Sequence, residues 1–467
     1  MDLSASIQEI LGTDIPAGFK RFGSALDAKW IEDALRETGT ATVRKRRLLA
    51  ENVVWLAIGM ALFRGSSIQE VVSHLGLVLP SKKSKGFTAG SSVAPSAIPQ
   101  RRYSVGAAPL EIIFKRSSET WSTAAADENR WCGLALYGVD GTTFRVPDTD
   151  ENREVFGLPP SSRGQSGYPQ VRLVALMALR SHMISGVAFG PYSGKKTGEQ
   201  SLARELWPQL PDDSLVIMDK GFIDYGLFYR LHHGMEDGTE DGTVAGNKHW
   251  LVRAKKNLRW KTLETFGTGD ELVELSIGRQ ARKKDPNLPK SMVVRAIRYE
   301  VNGYKPQTLL TSLVDPEKYL ATEVAALYHE RWEIELGYDE IKTHMLERQE
   351  ALRSKKAEGV RQEIWGILIA YNLVRKEMVD VADDAGVEPA RISFRHSLQL
   401  IRIFCMVEAW ACSPGVLPKR LTTHREMMKS LLILPERRPD RRYKRHVKIK
   451  MSSYKRNPGR PVAKGSK

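Results

Sequence analysis

The chain has 467 residues, a length that allows two to four domains at about 150 residues each. Its 71 Lys and Arg residues against 55 Asp and Glu residues give a net charge of +16, which favours a polyanionic partner, nucleic acid before an acidic membrane surface. Three cysteines without a CxxC motif, a longest apolar run of 11 residues and no signal-peptide pattern argue against a secreted, zinc-stabilised or membrane-spanning protein, and predict a cytoplasmic one.

The first part of the chain is predicted to be helical. Three helices are expected, over residues 28–38, 44–65 and 67–77. Asp27 is placed to cap the first helix, and Gly65 ends the second. A Gly-, Ser- and Lys-rich connector or mobile loop follows from Pro80 to Ala94.

Basic residues follow this connector. Arg101, Arg102 and Arg116 lie close to small residues in the sequence, which fits a small helical unit that contacts DNA. A plain helical hairpin with basic faces toward solvent fits the same pattern. We assign residues 1–125 to a helical N-terminal domain and predict that it binds DNA.

Beyond residue 134 the sequence changes to apolar, β-branched runs separated by turns. Strands are predicted over residues 134–146, 171–179, 183–192 and 214–219, with a helix over 199–210. The resulting β-β-β-α-β order predicts a mixed α/β sheet. Further strand-like runs without a helix between them occupy residues 245–314, and the chain then becomes helical over 321–347, 360–380 and 392–410.

The end of the chain is strongly basic. Residues 437–467 contain thirteen Lys or Arg and one Asp, a local net charge of +12, together with several Pro and Gly residues. Such a segment is typical of a disordered arm that attracts phosphates without reading sequence. A tail that only improves solubility is the alternative. These boundaries give a central domain over residues 126–436 and a tail over 437–467.

Residues 328–342, YHERWEIELGYDEIK, place five acidic residues beside a Trp and two Tyr. Thr322 is placed to cap a helix over residues 323–347. At about 100° per residue, four polar side chains share an arc of about 60°. These are Tyr328, Arg331, Glu335 and Lys342, with Asp339 at the edge of the arc.

The three other acidic residues of the segment 328–342 are Glu330, Glu333 and Glu340, which point elsewhere and are expected to be solvated. Apolar residues flank the polar arc, so the arc is at least partly buried, and unpaired charge there would be costly. Two interpretations remain open. The arc faces a charged ligand, or it is an i,i+4 salt-bridge ladder with Arg331–Glu335 as its main pair.

Two aspartates stand at the predicted sheet edge. Asp140 ends the first strand in YGVDGT, with Gly138 and Gly141 leaving space around it, and Asp219 ends the fourth strand in VIMDKGF. Carboxylates just past buried strands lie in the crevice where α/β folds place their sites. Either aspartate alone is a common turn residue, but both together with Glu335 form a three-carboxylate constellation.

Three oxygen ligands without a nearby Cys or His suit Mg²⁺ or Mn²⁺. Two such ions about 3.5–4 Å apart activate water and stabilise a leaving 3′ oxygen in phosphodiester cleavage. Tyr328, Arg331 and Lys342 would then contact DNA phosphates, through a hydrogen bond, a bidentate fork and a point charge respectively.

These residues resemble a known family. The spacing Tyr328-x2-Arg331-x3-Glu335-x6-Lys342 reproduces the signature of the insertion-element-four family of bacterial DDE transposases. YGVDGTTFRVPDT (137–149), SRGQSGYPQVRLVAL (162–176), MDKGF (218–222) and VAPSAIPQRRYSVG (93–106) are similar to other segments of the family. The resemblance covers most of the chain.

The resemblance implies a ribonuclease-H-like catalytic domain with a β-rich insertion at about 245–314, in which Asp140, Asp219 and Glu335 hold two Mg²⁺ ions. It also implies cutting of double-stranded DNA at terminal inverted repeats, often through a hairpin intermediate, joining of the freed 3′ ends to target DNA, and action as a homodimer on paired ends. Hairpin-forming relatives trap a flipped base on an aromatic residue of the insertion. The candidates here are Trp250, Trp260 and Tyr304, each of which is also a plausible packing residue.

Two other functions fit parts of the sequence. One is a related Mg²⁺-dependent nuclease that cuts DNA without integrating it. The other is a DNA-binding protein that has lost catalysis. The intact acidic set argues against the second, because an unused cluster of buried acids costs stability through repulsion.

Overall fold

The computed structural model describes residues 15–23, 25–42, 48–75, 77, 94, 96–161, 164–165, 167–233, 247–300, 305–349, 351–410 and 417–435. The described residues up to Ile433 form one compact unit. The predicted tail, Tyr304 and the connector before Ala94 lie outside the described residues. No helix in the described ranges has both the length and the apolar character needed to cross a membrane.

The N-terminal helices are short except for one. They are α1 (Ala28–Glu37), α2 (Ala50–Leu62), α3 (Ile68–His74), α4 (Ala97–Val105) and α5 (Ala108–Glu128), preceded by a 3₁₀ turn (Ala17–Phe22). Asp27 caps α1 as predicted, because its side chain accepts a 2.8 Å hydrogen bond from the Lys29 backbone. Ser67 and Glu70 form a reciprocal capping box at the start of α3.

Nine strands form one mixed sheet. They are β1 (Ala135–Arg145), β2 (Gln170–Ala178), β3 (Met183–Pro191), β4 (Ser214–Met218), β5 (Lys248–Arg253), β6 (Lys261–Gly267), β7 (Asp270–Ser276), β8 (Ser291–Tyr299) and β9 (Gln307–Thr311). Their order is β3-β2-β1-β4-β5-β9-β8-β7-β6, in which β1, β4 and β5 are parallel neighbours. The predicted mixed sheet of the ribonuclease-H-like type is confirmed, and the β-rich insertion extends the same sheet.

Short helices join or follow the strands. They are α6 (Asp150–Phe156), α7 (Glu199–Ala203), α8 (Tyr225–His233) and α9 (Arg279–Lys284), with 3₁₀ turns at Trp207–Gln209 and Lys220–Phe222 and a two-residue ladder between Pro160–Ser161 and Gly164–Gln165. The helix predicted over 199–210 is therefore shorter than expected. Pro208 interrupts it, because proline lacks the N–H that an α-helix needs.

The last part of the described chain is helical. It contains α10 (Ala321–Leu327), a 3₁₀ turn (Tyr328–Arg331), α11 (Trp332–Asp339), a π-helical turn (Glu340–Met345), α12 (Ala357–Ala385), a 3₁₀ turn (Pro389–Arg391), α13 (Phe394–Trp410) and α14 (Leu417–Leu431). We call residues 321–345 the signature helix. Its start differs from the prediction: Leu320 occupies the N-cap position without a side-chain capping hydrogen bond, and Thr322 already lies in the first turn.

The sheet separates two hydrophobic clusters. Along β2, Leu173, Ala175 and Met177 join a cluster that also contains α2, α5 and α12. The alternate residues Val174 and Leu176 face the cluster around α7 and α8. The N-terminal helices thus share one core with the sheet, and the boundary at residues 125/126 stays a prediction.

Candidate active site

The two aspartates lie at the same edge of the sheet on neighbouring strands. In the parallel pairing of β1 with β4 the last partners are Val139 and Met218, so Asp140 and Asp219 each come one residue later. Parallel neighbours run about 4.8 Å apart, which brings the two positions side by side. The expectation that Asp140 ends its strand is wrong, because β1 continues to Arg145 through its antiparallel pairing with β2.

The signature helix crosses this edge and is fastened to β1. The Tyr338 hydroxyl donates a 2.7 Å hydrogen bond to the carbonyl oxygen of Asp140. Gly337 makes the close approach possible, since a Cβ there would lie 2.4 Å from the Met177 side chain. Glu335, one turn before Asp339, is thereby held opposite Asp140.

Arg331 lies between two of the three predicted acids. Its guanidinium donates a 3.0 Å hydrogen bond to Glu335 and lies 3.9 Å from the Asp140 carboxylate. The Arg331–Glu335 pair of the salt-bridge interpretation therefore forms, but it includes Asp140 as well and is not a surface ladder. Only 8% of Arg331 is exposed.

The other two residues of the polar arc flank this pair. Lys342 donates a 2.5 Å hydrogen bond to the Thr142 hydroxyl on β1, and burial lowers the pKa of Lys342. Tyr328 is 7% exposed. Burial, with a smaller contribution from the Asp219 carboxylate, raises the pKa of the Tyr328 hydroxyl to about 12, so this group remains a hydrogen-bond donor at every physiological pH.

A fourth carboxylate, which we did not predict from the sequence, lies beside Asp140. Glu199, the first residue of α7, packs over Gly141, where a Cβ would lie 2.5 Å from the Glu199 carboxyl carbon. Gln200 donates a 2.6 Å hydrogen bond to the carbonyl oxygen of Gly221, which joins α7 to the loop after Asp219. The sequence signal is a glycine directly after a strand carboxylate together with an acid that opens the helix after the third strand.

The carboxylates make the site electrostatically unfavourable for a further negative charge. Burial is the main reason that the pKa of Asp140 rises to about 6, and the Glu335 and Glu199 carboxylates raise it further. Arg331 and the Gly141 backbone N–H lower it only in part. A cation bound here would relieve this imbalance, and carboxylate oxygens are the ligands that Mg²⁺ and Mn²⁺ prefer.

The acids do not yet form a ligand set. In the described ranges, no three or more His, Cys, Asp or Glu side chains lie in an arrangement that holds a metal ion. Glu335 is not placed as a ligand because its carboxylate accepts a hydrogen bond from Arg331 and is directed toward that guanidinium. Asp140, Asp219 and Glu335 are thus brought to one edge by the fold, but their carboxylates are not directed to one point.

The raised pKa of Asp140 predicts a stability effect. An acid whose pKa is higher in the folded chain costs stability once it ionises, and this cost grows between about pH 4 and pH 6. Asp140→Asn removes the cost, so we expect the variant to gain on the order of 1–3 kcal/mol relative to wild type over this interval. Melting temperatures of both proteins in EDTA between pH 4.5 and 7.5 measure this gain. A difference that is constant with pH would show that Asp140 keeps an ordinary pKa.

Three glutamates of the signature helix lie behind the site, and the expectation that they are solvated is wrong. Glu330 pairs with Arg180 through two hydrogen bonds of 3.0 and 3.1 Å. Glu333 contacts His182 at 2.7 Å, and Glu340 forms an ion pair with buried Arg375. Angles counted at 100° per residue could not show these partners, because the partners come from distant segments and the winding changes to a π-turn at Glu340.

Other predicted contact residues have structural partners. Arg102 is buried and donates a 2.8 Å hydrogen bond to Gln362, and Arg116 pairs with Glu37 at 2.8 Å. Arg101 donates a 2.7 Å hydrogen bond to the Thr42 hydroxyl. Arg102 is therefore a packing residue that joins α4 to α12. DNA contacts of the partly exposed Arg101 and Arg116 stay a prediction.

The two tryptophans proposed as base traps pack in or against the core of the described chain. Trp250 is 1% exposed and stacks on Phe228 at 4.1 Å between ring centroids. Trp260 packs half-buried against the same cluster. Trp250 is thus a packing residue, and no aromatic is singled out here as a base trap.

Comparison with known families gives two matches that cover most of the chain. The description "Insertion element 4 transposase N-terminal" matches residues 16–115. The description "Transposase DDE domain" matches residues 134–373. The second match contains both aspartates and the signature helix.

Individual relatives agree with these matches. Transposase InsG for insertion sequence element IS4, from Escherichia coli (strain K12), is 37% identical over 434 residues, which are 92% of each chain. Putative transposase InsZ of the same strain is 31% identical over 297 residues, 61% of this chain and 92% of the relative.

The structure was also compared with solved structures. The piggyBac transposase synaptic complex with hairpin DNA aligns over 92% of this chain and 87% of its own, with a TM-score of 0.43 and 11% identity.

Proposed function

The chain belongs to the insertion-element-four family of DDE transposases, and we propose that it cuts double-stranded DNA at terminal inverted repeats and joins the freed 3′ ends to target DNA. The observation that carries this proposal is the register of β1 and β4, which sets Asp140 beside Asp219, opposite Glu335 on the signature helix. The four-residue polar arc of that helix faces the same edge.

We propose that Asp140, Asp219 and Glu335 hold Mg²⁺, or Mn²⁺ in its place. When bound between these acids, two such ions supply an activated water and a neutralised leaving oxygen for phosphodiester cleavage. Glu335 has to give up or share its hydrogen bond with Arg331 to become a ligand. Asp140, whose pKa is about 6 in the metal-free chain, has to be ionised for the same purpose.

The cationic side chains have a second role in this proposal. Arg331, released from Glu335, presents its guanidinium to the phosphate next to the scissile bond, where charge develops during the reaction. Lys342, held on Thr142, adds a point charge from the β1 side. The Tyr328 hydroxyl, protonated throughout, donates to a phosphate oxygen or to Asp219.

We further propose a homodimer on paired transposon ends, acting on bacterial DNA in the cytoplasm. The test of the function starts with its substrate, because a mobile element carries its terminal repeats on both sides of the transposase gene. Sequencing both sides of the gene should identify imperfect inverted repeats bracketed by a short direct duplication. Linear DNA that carries these repeats, incubated with the protein and Mg²⁺, should be cut at the repeat ends, whereas DNA with shuffled repeats should not.

The basic tail supports a prediction about salt. Each phosphate that the tail neutralises adds about 0.9 to the slope of log affinity against log salt concentration. Deleting residues 437–467 should therefore lower affinity for random-sequence DNA and flatten this slope. Titrations at several salt concentrations measure both quantities.

A control variant replaces the thirteen Lys and Arg residues of the tail by Gln. It keeps the length of the tail and removes its positive charge. It should behave like the deletion. If the slope of the deletion matches that of wild type, the tail serves solubility and not DNA binding.

A further inference from the structure

A cluster of buried and half-buried polar residues lies behind the signature helix, on the side away from Asp140. It consists of His182, Glu333, Glu340, Tyr371 and Arg375, and we call it the rear cluster. Arg375 is 1% exposed and His182 is 3% exposed. The Glu340 carboxylate accepts hydrogen bonds from Arg375 and, at 2.9 Å, from the Tyr371 hydroxyl.

The tautomer of His182 follows from its hydrogen-bond partners. Arg375 lies 2.5 Å from the Nδ1 of His182, and a guanidinium only donates hydrogen bonds. Nδ1 therefore accepts, Nε2 carries the hydrogen, and Nε2 donates to the Glu333 carboxylate at 2.7 Å. One directed chain of hydrogen bonds thus runs from Arg375 through His182 to Glu333, and a second runs from Arg375 directly to Glu340.

The far side of the cluster is fixed to the sheet. Asn372, next to Tyr371 on α12, exchanges two hydrogen bonds with the Ile184 backbone at the start of β3, at 2.8 and 3.0 Å. His182 stands in the preceding turn with φ of +59°. Arg375 stacks on Phe394 with 5.2 Å between its Cζ atom and the ring centroid. Arg375 and His182 are therefore rigid with respect to the sheet that carries Asp140.

The two glutamates of the rear cluster belong to the signature helix and lie on either side of Glu335 in the sequence. Glu333 lies two residues before Glu335. Glu340 opens the π-helical turn that contains Lys342. The contacts of Glu333 with His182 and of Glu340 with Arg375 therefore fix the rotation of the helix before and after Glu335. The contact of Glu340 also holds the helix at the start of its π-helical turn. On the front side, the Tyr338 hydroxyl and the Lys342 ammonium group hold the helix to β1.

We propose that Arg375, with His182, Tyr371 and the two glutamates, positions Glu335 and Lys342 for metal and phosphate binding. They are positioning residues, because in this proposal each acts through the signature helix. The proposal rests on the metal-binding role of Glu335 proposed above. It predicts that damage to the rear cluster weakens metal binding in protein that is still folded.

Two variants and one matched control test this proposal. Arg375→Met removes the cation at the centre of the cluster. Tyr371→Phe removes only the hydroxyl that donates to Glu340, and should fold if the larger change does not. Lys376→Met is the control, since Lys376 is the adjacent cation of α12 but pairs with Asp380 away from the cluster. Mn²⁺ binding is measured without DNA, from the loss of the free-ion signal in electron paramagnetic resonance, alongside the melting temperature.

We expect Arg375→Met to raise the dissociation constant for Mn²⁺ about 10- to 100-fold, the range found when a partner that orients a metal ligand is lost. Tyr371→Phe should raise it less, about 2- to 5-fold, because one hydrogen bond to Glu340 is lost while the ion pair with Arg375 remains. The dissociation constant of Lys376→Met should equal that of wild type. If folded Arg375→Met binds Mn²⁺ with wild-type affinity, the cluster stabilises the fold but does not position the metal ligand. If Arg375→Met does not fold, wild-type affinity in Tyr371→Phe leads to the same conclusion. If wild type itself binds no Mn²⁺, the proposed function fails, which is a separate outcome.

Discussion

Glu335→Gln should abolish cleavage of transposon-end DNA and leave binding of the same DNA intact. The amide keeps the size of the side chain and an acceptor for Arg331, but it loses the charge that attracts a metal ion. Loss of several kcal/mol of metal-derived stabilisation corresponds to a rate reduction of about 10³-fold or more. Single-turnover cleavage in Mg²⁺ and a metal-free binding titration measure the two quantities.

Asp339→Asn is the matched control for this variant. Asp339 is one turn further along the same helix, is exposed, and accepts a 2.6 Å hydrogen bond from Thr343. Cleavage by the control should stay within about threefold of wild type, as is usual for a surface substitution. Strong residual cleavage by Glu335→Gln together with a large loss in Asp339→Asn would move the third catalytic acid to Asp339.

Arg331→Ala should separate metal binding from catalysis. The guanidinium competes with a metal ion for Glu335 and repels it at Asp140, so its removal should leave Mn²⁺ affinity equal to or tighter than that of wild type. The same change removes a charge-assisted donor to the phosphate and should slow cleavage at saturating Mn²⁺ about 10²- to 10³-fold. Direct Mn²⁺ titration and single-turnover rates give the two numbers.

Arg180→Ala serves as the control for Arg331→Ala. It breaks an ion pair to Glu330 on the same segment, but both partners are about one-third exposed, so the pair contributes little. Its rate and metal affinity should match those of wild type. Weaker metal binding in Arg331→Ala, with a normal rate once metal saturates, would mean that Arg331 only braces Glu335.

Much of the sheet could be predicted from the sequence because its strands are short apolar runs with clear breaks. Residues 171–179 and 214–219 are almost continuously apolar, and the structure has β2 and β4 there. The same reasoning found Asp140 and Asp219, because each carboxylate follows such a run. The strand predicted over residues 134–146 is β1, which continues past Asp140 through its pairing with β2, so only the expectation that Asp140 ends this strand was wrong.

The surroundings of the site depend on contacts between distant segments, which periodicity does not contain. Glu340 is half-buried beside Arg375, and although burial alone would raise its pKa, Arg375 and His182 lower that pKa to about 2. Glu199 becomes part of the site only because Gly141 leaves room for it. Arg102 looked like a DNA contact because its partner Gln362 is 260 residues away in the sequence.

If this chain both cuts and joins DNA, a strand-transfer assay with a pre-cut end should detect the joining step by itself. A labelled DNA that ends at the cut inverted repeat with a free 3′ hydroxyl is incubated with supercoiled plasmid, Mg²⁺ and either wild type or Glu335→Gln. We expect wild type to join the labelled 3′ end covalently to the plasmid, and Glu335→Gln to give no joined product. Cleavage of uncut ends by wild type without any joined product would contradict the claim and identify a nuclease that does not integrate DNA.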